Sequence, residues 1–155
     1  MDEGALARAL HVVGVVLWIG GVGFVTTVLL PAVRRLKSPA ERVAFFEAAE
    51  QRFAWQARAT TLLVGITGFW MVELYGLWSR FASAGFWWMH AMVFVWLLFT
   101  IMLFVAEPLF LHQWLLTRAK ADPEATFRLV ERLHRVLLAL SLITVLGAVI
   151  GAHGG

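Results

Sequence analysis

Four long runs of apolar residues alternate with shorter polar segments along the chain. The runs cover about residues 9–33, 59–79, 84–111 and 136–152. About 20 apolar residues are needed to cross a bilayer as a helix, so the first three runs are long enough and the last comes close. The pattern predicts an all-α integral membrane protein, in which four transmembrane helices form a bundle and a single domain over residues 1–155.

The basic residues are distributed unevenly among the segments that join these runs. Segments Arg34–Arg58 and His112–Arg135 hold eleven of the thirteen Lys and Arg residues, and only Arg8 and Arg80 lie elsewhere. By the positive-inside rule, both basic segments face the cytoplasm. The N-terminus, the C-terminus and the turn at 80–83 are therefore predicted on the outer face of the inner (cytoplasmic) membrane, in a multi-pass arrangement.

Two of the polar segments contain a signal for the start of a helix. Ser38-Pro39-Ala40-Glu41 has the form of a capping box with proline at the first helical position. Asp122-Pro123-Glu124 is a similar start. We therefore expect the second and fourth helices to begin on the cytoplasmic side. At a rise of about 1.5 Å per residue, they should extend about two to three turns beyond the membrane.

The composition agrees with a membrane protein and excludes several kinds of site. The chain is 61% apolar with a mean hydropathy of +0.79, so the lipid bilayer is the expected partner. The high pI of 10.2 reflects the basic cytoplasmic segments, and we do not expect nucleic-acid binding. The absence of cysteine excludes disulfides, zinc ribbons and covalent c-type haem. The first run is longer than the apolar region of a signal peptide, so no cleavable signal is predicted.

Three ionisable residues lie in the predicted outer half of the membrane, where such residues are costly and usually functional. They are His11, His90 and Glu73. Two histidines on different helices at a similar depth can bind a haem iron from both sides or hold copper. Glu73 could complete that site as a carboxylate ligand, stay protonated, or pair with Arg80.

Small residues accompany His11 on its helix. Residues at 3–4 residue spacing share its helical face: Gly14, Trp18 and Gly21. These positions are either helix-packing contacts or space for a flat cofactor, which Trp18 and the glycines would line. Arg8 and Arg80 would pair with the propionates of a haem held there.

A second group of ionisable residues lies in the cytoplasmic half, namely Glu107, His112 and His134. His112 and His134 are both expected near the membrane edge, where they could ligate a second haem. The alternative is a solvated charged face among the neighbouring basic residues. We give this second metal site less weight than the first.

The stretch Leu10–Gly21, in which Trp18 follows His11 by seven residues and small residues come next, resembles the first helix of the CopD-like membrane superfamily. That group includes copper-resistance D proteins and HemJ-type protoporphyrinogen oxidases. Arg52-Phe53 followed by Thr67-Gly68 is similar to the second-helix pattern of CopD domains. The resemblance implies a fold that binds haem b or copper. HemJ-type proteins carry a lysine near the start of the third helix, where this chain has His90, so their oxidase activity is not implied.

Three functions are consistent with these patterns. The first is a b-type haem protein that uses His11 and His90 for electron transfer or haem-dependent oxidation near the outer face, with a redox protein or a quinone as partner. The second is a copper carrier, in which His11, His90 and Glu73 hold copper together with a thioether donor. The candidate donors are Met71, Met89 or Met92. The third is an accessory subunit that packs against other membrane helices, or against copies of itself.

Overall fold

The computed structural model describes residues 2–153, and nearly all of these residues are helical, with no β-strand among them. The described chain contains four long helices, which are Glu3–Leu36, Pro39–Leu74, Ala84–Ala121 and Pro123–Ala152. The predicted all-α class is confirmed. Predictions that fall on residues 1, 154 and 155 lie outside the described residues.

Three of these helices are long and apolar enough to cross a membrane, namely the first, third and fourth. Between 17% and 33% of each apolar stretch is buried inside the protein. Most of their apolar side chains therefore face outward, as lipid contact requires. The second long helix falls short by the same measure, because Arg58, Glu73 and several threonines interrupt its apolar stretch.

Both predicted helix starts are present. Ser38 and Glu41 form a capping box, in which the Ser38 amide donates to Glu41 Oε2 at 3.2 Å. Asp122 caps the fourth helix by accepting from the Ala125 amide at 2.9 Å. The segments predicted as helical extensions are therefore helical from Pro39 and Pro123 onward.

The second long helix ends earlier than the apolar run that predicted it. It stops at Leu74, whereas the run continues to residue 79. Gly76 adopts a left-handed conformation with φ of 60°, which glycine tolerates and which ends the helix. A short 3₁₀ helix, Leu77–Ala82, then leads to the third long helix, whose first turn, Ala84–Phe86, is also 3₁₀.

The four helices pack against one another. The first and second long helices share the most extensive contact, and the fourth packs against the other three. Tryptophan rings fill the space beside glycines: Trp96 at Gly65, Trp87 at Gly147 and Trp88 at Gly151. These glycines allow close helix packing. Trp88 is buried between helices.

Candidate functional site

His11 lies in the interface between the first and second long helices. Its Nδ1 is 3.1 Å from the hydroxyl of Thr67, and that hydroxyl donates its own proton to the Leu63 carbonyl at 2.6 Å. The Thr67 oxygen must therefore accept from His11, which places the imidazole proton on Nδ1. This arrangement leaves Nε2 unprotonated, which is the state of a histidine that binds a metal ion.

His90 has a different environment at the start of the third long helix. It is exposed, and both of its ring nitrogens lie near backbone carbonyl oxygens. Nε2 is 3.0 Å from the Phe81 oxygen, and Nδ1 is 3.3 Å from the Phe86 oxygen. Neither nitrogen is free to bind a metal in this arrangement. His11 and His90 contact different residues, and a shared ligand site for the two histidines stays a prediction.

The remaining residues predicted around the outer site have other partners. Glu73 accepts a hydrogen bond from Trp78 Nε1 at 2.8 Å. The Arg80 guanidinium lies over the Phe86 ring, 4.9 Å from its centroid. Arg8 donates to the Tyr75 hydroxyl at 3.3 Å and thereby joins the first helix to the end of the second.

The glycines near His11 do not leave room for a flat cofactor. Side chains of the second long helix occupy the space beside them, with Val64 at Gly14 and Phe53 at Gly21. Trp18 is buried and its ring meets Phe99 edge-on. As the helices are packed, a haem does not fit between them here. Within residues 2–153, moreover, no group of three or more His, Asp or Glu side chains could hold a metal ion.

The structure instead brings together titratable residues at the basic end, which we define as the end of the four helices that carries segments Arg34–Arg58 and His112–Arg135. Glu47 and Glu50 are one turn apart on the second long helix. The Glu47 carboxylate forms a close hydrogen bond with His112 of the third helix. Glu50 Oε1 lies 3.6 Å from Nε2 of His134 in the fourth helix. We call Glu47, Glu50, His112 and His134 the carboxylate–imidazole cluster.

Three other carboxylates of these helices have a different kind of partner. Glu131 pairs with Arg34 at 2.6 Å, Glu124 with Arg42 at 2.6 Å and Glu107 with Arg58 at 3.2 Å. A guanidinium is charged at every physiological pH, whereas an imidazole gains and loses its proton near neutrality. Glu47 and Glu50 are thus distinguished by partners that exchange protons.

Burial affects the Glu47 carboxyl. Removal from water raises the pKa of the Glu47 carboxyl above its ordinary value, the hydrogen bond with His112 offsets part of that rise, and the charge of Glu50 adds to it. A raised pKa brings this carboxyl closer to the range in which imidazole titrates. The proton can therefore be shared between the two groups.

Arg58 holds the third carboxylate of this region in place. A ten-residue π-helical segment, Met102–Leu111, contains Pro108. In a π-helix the residue-108 amide would serve the carbonyl five residues earlier, that of Leu103, but proline has no N–H. Arg58 Nε donates to that carbonyl at 3.0 Å while its Nη2 pairs with Glu107. Arg58 therefore compensates both the missing backbone donor and the Glu107 charge.

A small internal cavity begins beside the cluster. Its volume is about 30 Å³, which is room for one or two water molecules. Glu50 and His134 provide its polar lining, and the rest is mainly apolar, including Phe53, Ala57 and Leu137. The cavity therefore connects the cluster with the interior of the helices.

Sequence reasoning found the two histidines of this cluster but not their partners. His112 and His134 were given the lower weight as metal ligands, and in the structure each is the partner of a carboxylate. Glu47 and Glu50 look like ordinary surface residues of an amphipathic helix that starts at Pro39. A usable signal was their position, because they continue the small-residue stripe Ala54, Ala57 and Thr61 at 3–4 residue spacing.

No protein-family model, curated protein or solved structure matches this chain.

Proposed function

We propose that the chain is an integral membrane protein that binds and transfers protons through its carboxylate–imidazole cluster. Its four long helices all cross the bilayer, with the basic end in the cytoplasm and both termini outside the inner membrane. The second helix crosses despite its charges, because Arg58 is neutralised by Glu107 and the exposed Glu73 lies near the opposite end.

One observation supports the proton function above the others. Glu47 and Glu50 are paired with imidazoles, whereas the neighbouring inward-facing carboxylates are paired with guanidinium groups. An Arg–Glu pair fixes charge, but a Glu–His pair can exist with one proton more or less at little cost. Two such pairs side by side, next to an internal cavity, form a group that accepts a proton from the cytoplasm and passes it inward.

Infrared spectroscopy of the purified protein in lipid tests this function. A protonated carboxyl has its own carbonyl band, which we expect to vanish above the ordinary carboxyl range, as pH rises through the raised pKa of Glu47. The band should be absent from the double variant E47Q/E50Q and retained in E124Q, whose carboxylate pairs with Arg42. A wild-type spectrum without any carboxyl change in this range would rule out the proton function.

Haem b bound through His11 is a second proposal, supported by the unprotonated Nε2 that the Thr67 contact imposes. It requires the helices to part and His90 to leave the Phe81 and Phe86 carbonyls. Protein purified from haem-replete cells should then show a haem absorption spectrum that H11A abolishes and H153A leaves intact. Colourless protein refutes haem, and copper found in the same sample would support the copper carrier instead.

A further inference from the structure

The second long helix presents a continuous small and polar stripe to the interior. Its members follow Glu47 and Glu50 at 3–4 residue spacing: Ala54, Ala57 and Thr61. These last three are at most 2% exposed. Glu50, Ala54 and Ala57 form one wall of the internal cavity. The stripe therefore leads from the cluster at the basic end toward the middle of the helices.

Two buried polar atoms lie one helical turn beyond the residues of the cavity wall. Thr61 is four residues after Ala57, and Trp18 is four residues before Val22, which also lines the cavity. The Thr61 hydroxyl and Trp18 Nε1 are both buried, and neither has a hydrogen-bond partner within the described part of the chain. The Trp18 ring packs on Phe99, another cavity residue, at 4.9 Å between ring centroids.

Such atoms require a partner. Burying a polar group without a hydrogen bond costs about 1–3 kcal/mol, and native proteins rarely tolerate it. The indole can only donate, whereas the threonine hydroxyl can donate and accept. Water is the molecule that satisfies both atoms and also fits a cavity of about 30 Å³.

The interior closes immediately beyond these two atoms. Val64 is the next stripe position after Thr61 and packs against Gly14 of the first helix. Val64 and Val95 belong to the same apolar cluster as Trp18. A water path from the basic end therefore stops here, near the middle of the membrane.

We propose that the structure contains a half-channel, in which water enters beside Glu50 and His134 and reaches Thr61 and Trp18. This inference rests on the proposed proton function. A proton moves from the His134 imidazolium or the Glu50 carboxyl to the first water, and each water passes one of its own protons to the next. Because the path ends at Thr61, the charge returns to its donor along the same waters. No other bond changes. Thr61 is the inner end of this path, and Trp18 is a positioning residue that orients the last water.

Silver ion accessibility tests the path, because Ag⁺ is small, needs water and reacts with thiols, and the chain has no native cysteine. Single variants T61C, A57C and V64C are exposed to Ag⁺ from the basic side in lipid vesicles. Reaction is read as protection from a maleimide added after denaturation. We expect A57C and T61C to react faster than V64C by about tenfold or more. Adding A57L to T61C should remove its advantage.

The outcomes separate this inference from the function on which it rests. If A57C reacts quickly but T61C is as slow as V64C, water stops short of Thr61 and the half-channel is wrong. If both are slow while the infrared carboxyl band still titrates, the half-channel is wrong and the cluster remains a proton site. If the band does not titrate, the proposed function fails whatever the silver result.

Discussion

At the scale of single residues, the partner of each carboxylate determines what it can do. The second long helix carries Glu41, which caps the N-terminus of that helix. Six residues later it carries Glu47, which contacts the imidazole of His112 in the third helix. The first has a structural role, and the second is paired with an imidazole. A similar contrast separates the histidines, since His11 has a fixed tautomer and His90 is held by two carbonyls. Chemistry therefore follows from contacts and not from residue type alone.

The raised pKa of Glu47 predicts how stability depends on pH. The folded state holds the Glu47 proton to higher pH than the unfolded state does, so stability falls as pH rises from the ordinary carboxyl range through the raised pKa. We expect E47Q to flatten this decline, because glutamine cannot ionise. Thermal unfolding in detergent, followed by tryptophan fluorescence across pH, measures the effect.

The matched control for this prediction is E124Q. Glu124 pairs with Arg42 and lies at the surface of the fourth helix. Its removal should leave the slope of the wild-type curve over the same pH range unchanged. Equal slopes in wild type and E47Q would show that Glu47 titrates alike in the folded and unfolded states.

At the scale of elements, the first and third long helices share an unusual feature. Each contains a π-helical segment, Val25–Leu29 and Met102–Leu111, with a proline after or within it, Pro31 and Pro108. A side chain donates a hydrogen bond to a backbone carbonyl in each region. The Thr26 hydroxyl donates to the Val22 carbonyl, and Arg58 Nε donates to the Leu103 carbonyl. In both halves of the chain, a helix with this irregularity is followed by one that starts at a Ser-Pro or Asp-Pro pair. This correspondence is what an internal two-fold repeat would produce.

The double role of Arg58 predicts a specific energetic coupling. R58L leaves both Glu107 and the Leu103 carbonyl without their partner, which should cost about 3 kcal/mol of unfolding free energy. P108A restores a backbone N–H for the helix. In the double variant the loss should therefore shrink by about 1 kcal/mol, the net value of one hydrogen bond. Chemical unfolding of the four proteins gives the coupling as a double-mutant cycle.

R128L is the control for Arg58. Arg128 pairs with Glu124 four residues away at 3.6 Å on an exposed surface, where such pairs contribute little. Its replacement should change unfolding free energy by less than about 0.5 kcal/mol. Strictly additive costs for R58L and P108A would disprove the link between Arg58 and the proline.

The turn at Gly76 offers a second prediction at this scale. A side chain at this position meets open space, but the backbone has a φ of 60° that residues with a Cβ rarely adopt. G76A should therefore lower the unfolding free energy by about 1–2 kcal/mol. G20A is the comparison, since Gly20 also faces open space but lies within a regular helix, where alanine is favoured. Thermal unfolding that ranks G76A as stable as G20A would contradict the strain argument.

At the scale of the whole molecule, the sequence predicts more of the fold than of the site. Apolar runs and proline-containing caps predict the helices because both signals are local. The same signals predicted too late an end for the second helix, because the left-handed conformation of Gly76 ends that helix at Leu74. The cluster could not be predicted because Glu47 and His112 are 65 residues apart and meet only through packing. A contact between His11 and His90 stays a prediction, because depth along a helix does not specify direction around it.

The orientation of the molecule remains a prediction, and it determines the side to which the proposed proton path opens. The chain has no cysteine, so single cysteines report topology without background. A5C and S83C should react with an impermeant thiol reagent applied to intact cells. A40C and A121C should react only after the membrane is opened, because the basic end faces the cytoplasm. All four positions are exposed, so a lack of reaction reflects the membrane and not burial. The reverse pattern would overturn the charge-bias argument and open the half-channel to the outside. If the first two helices both cross the membrane, A5C and S83C lie on the same side. Labelling of these two cysteines from opposite sides would therefore show that one of the two helices does not cross.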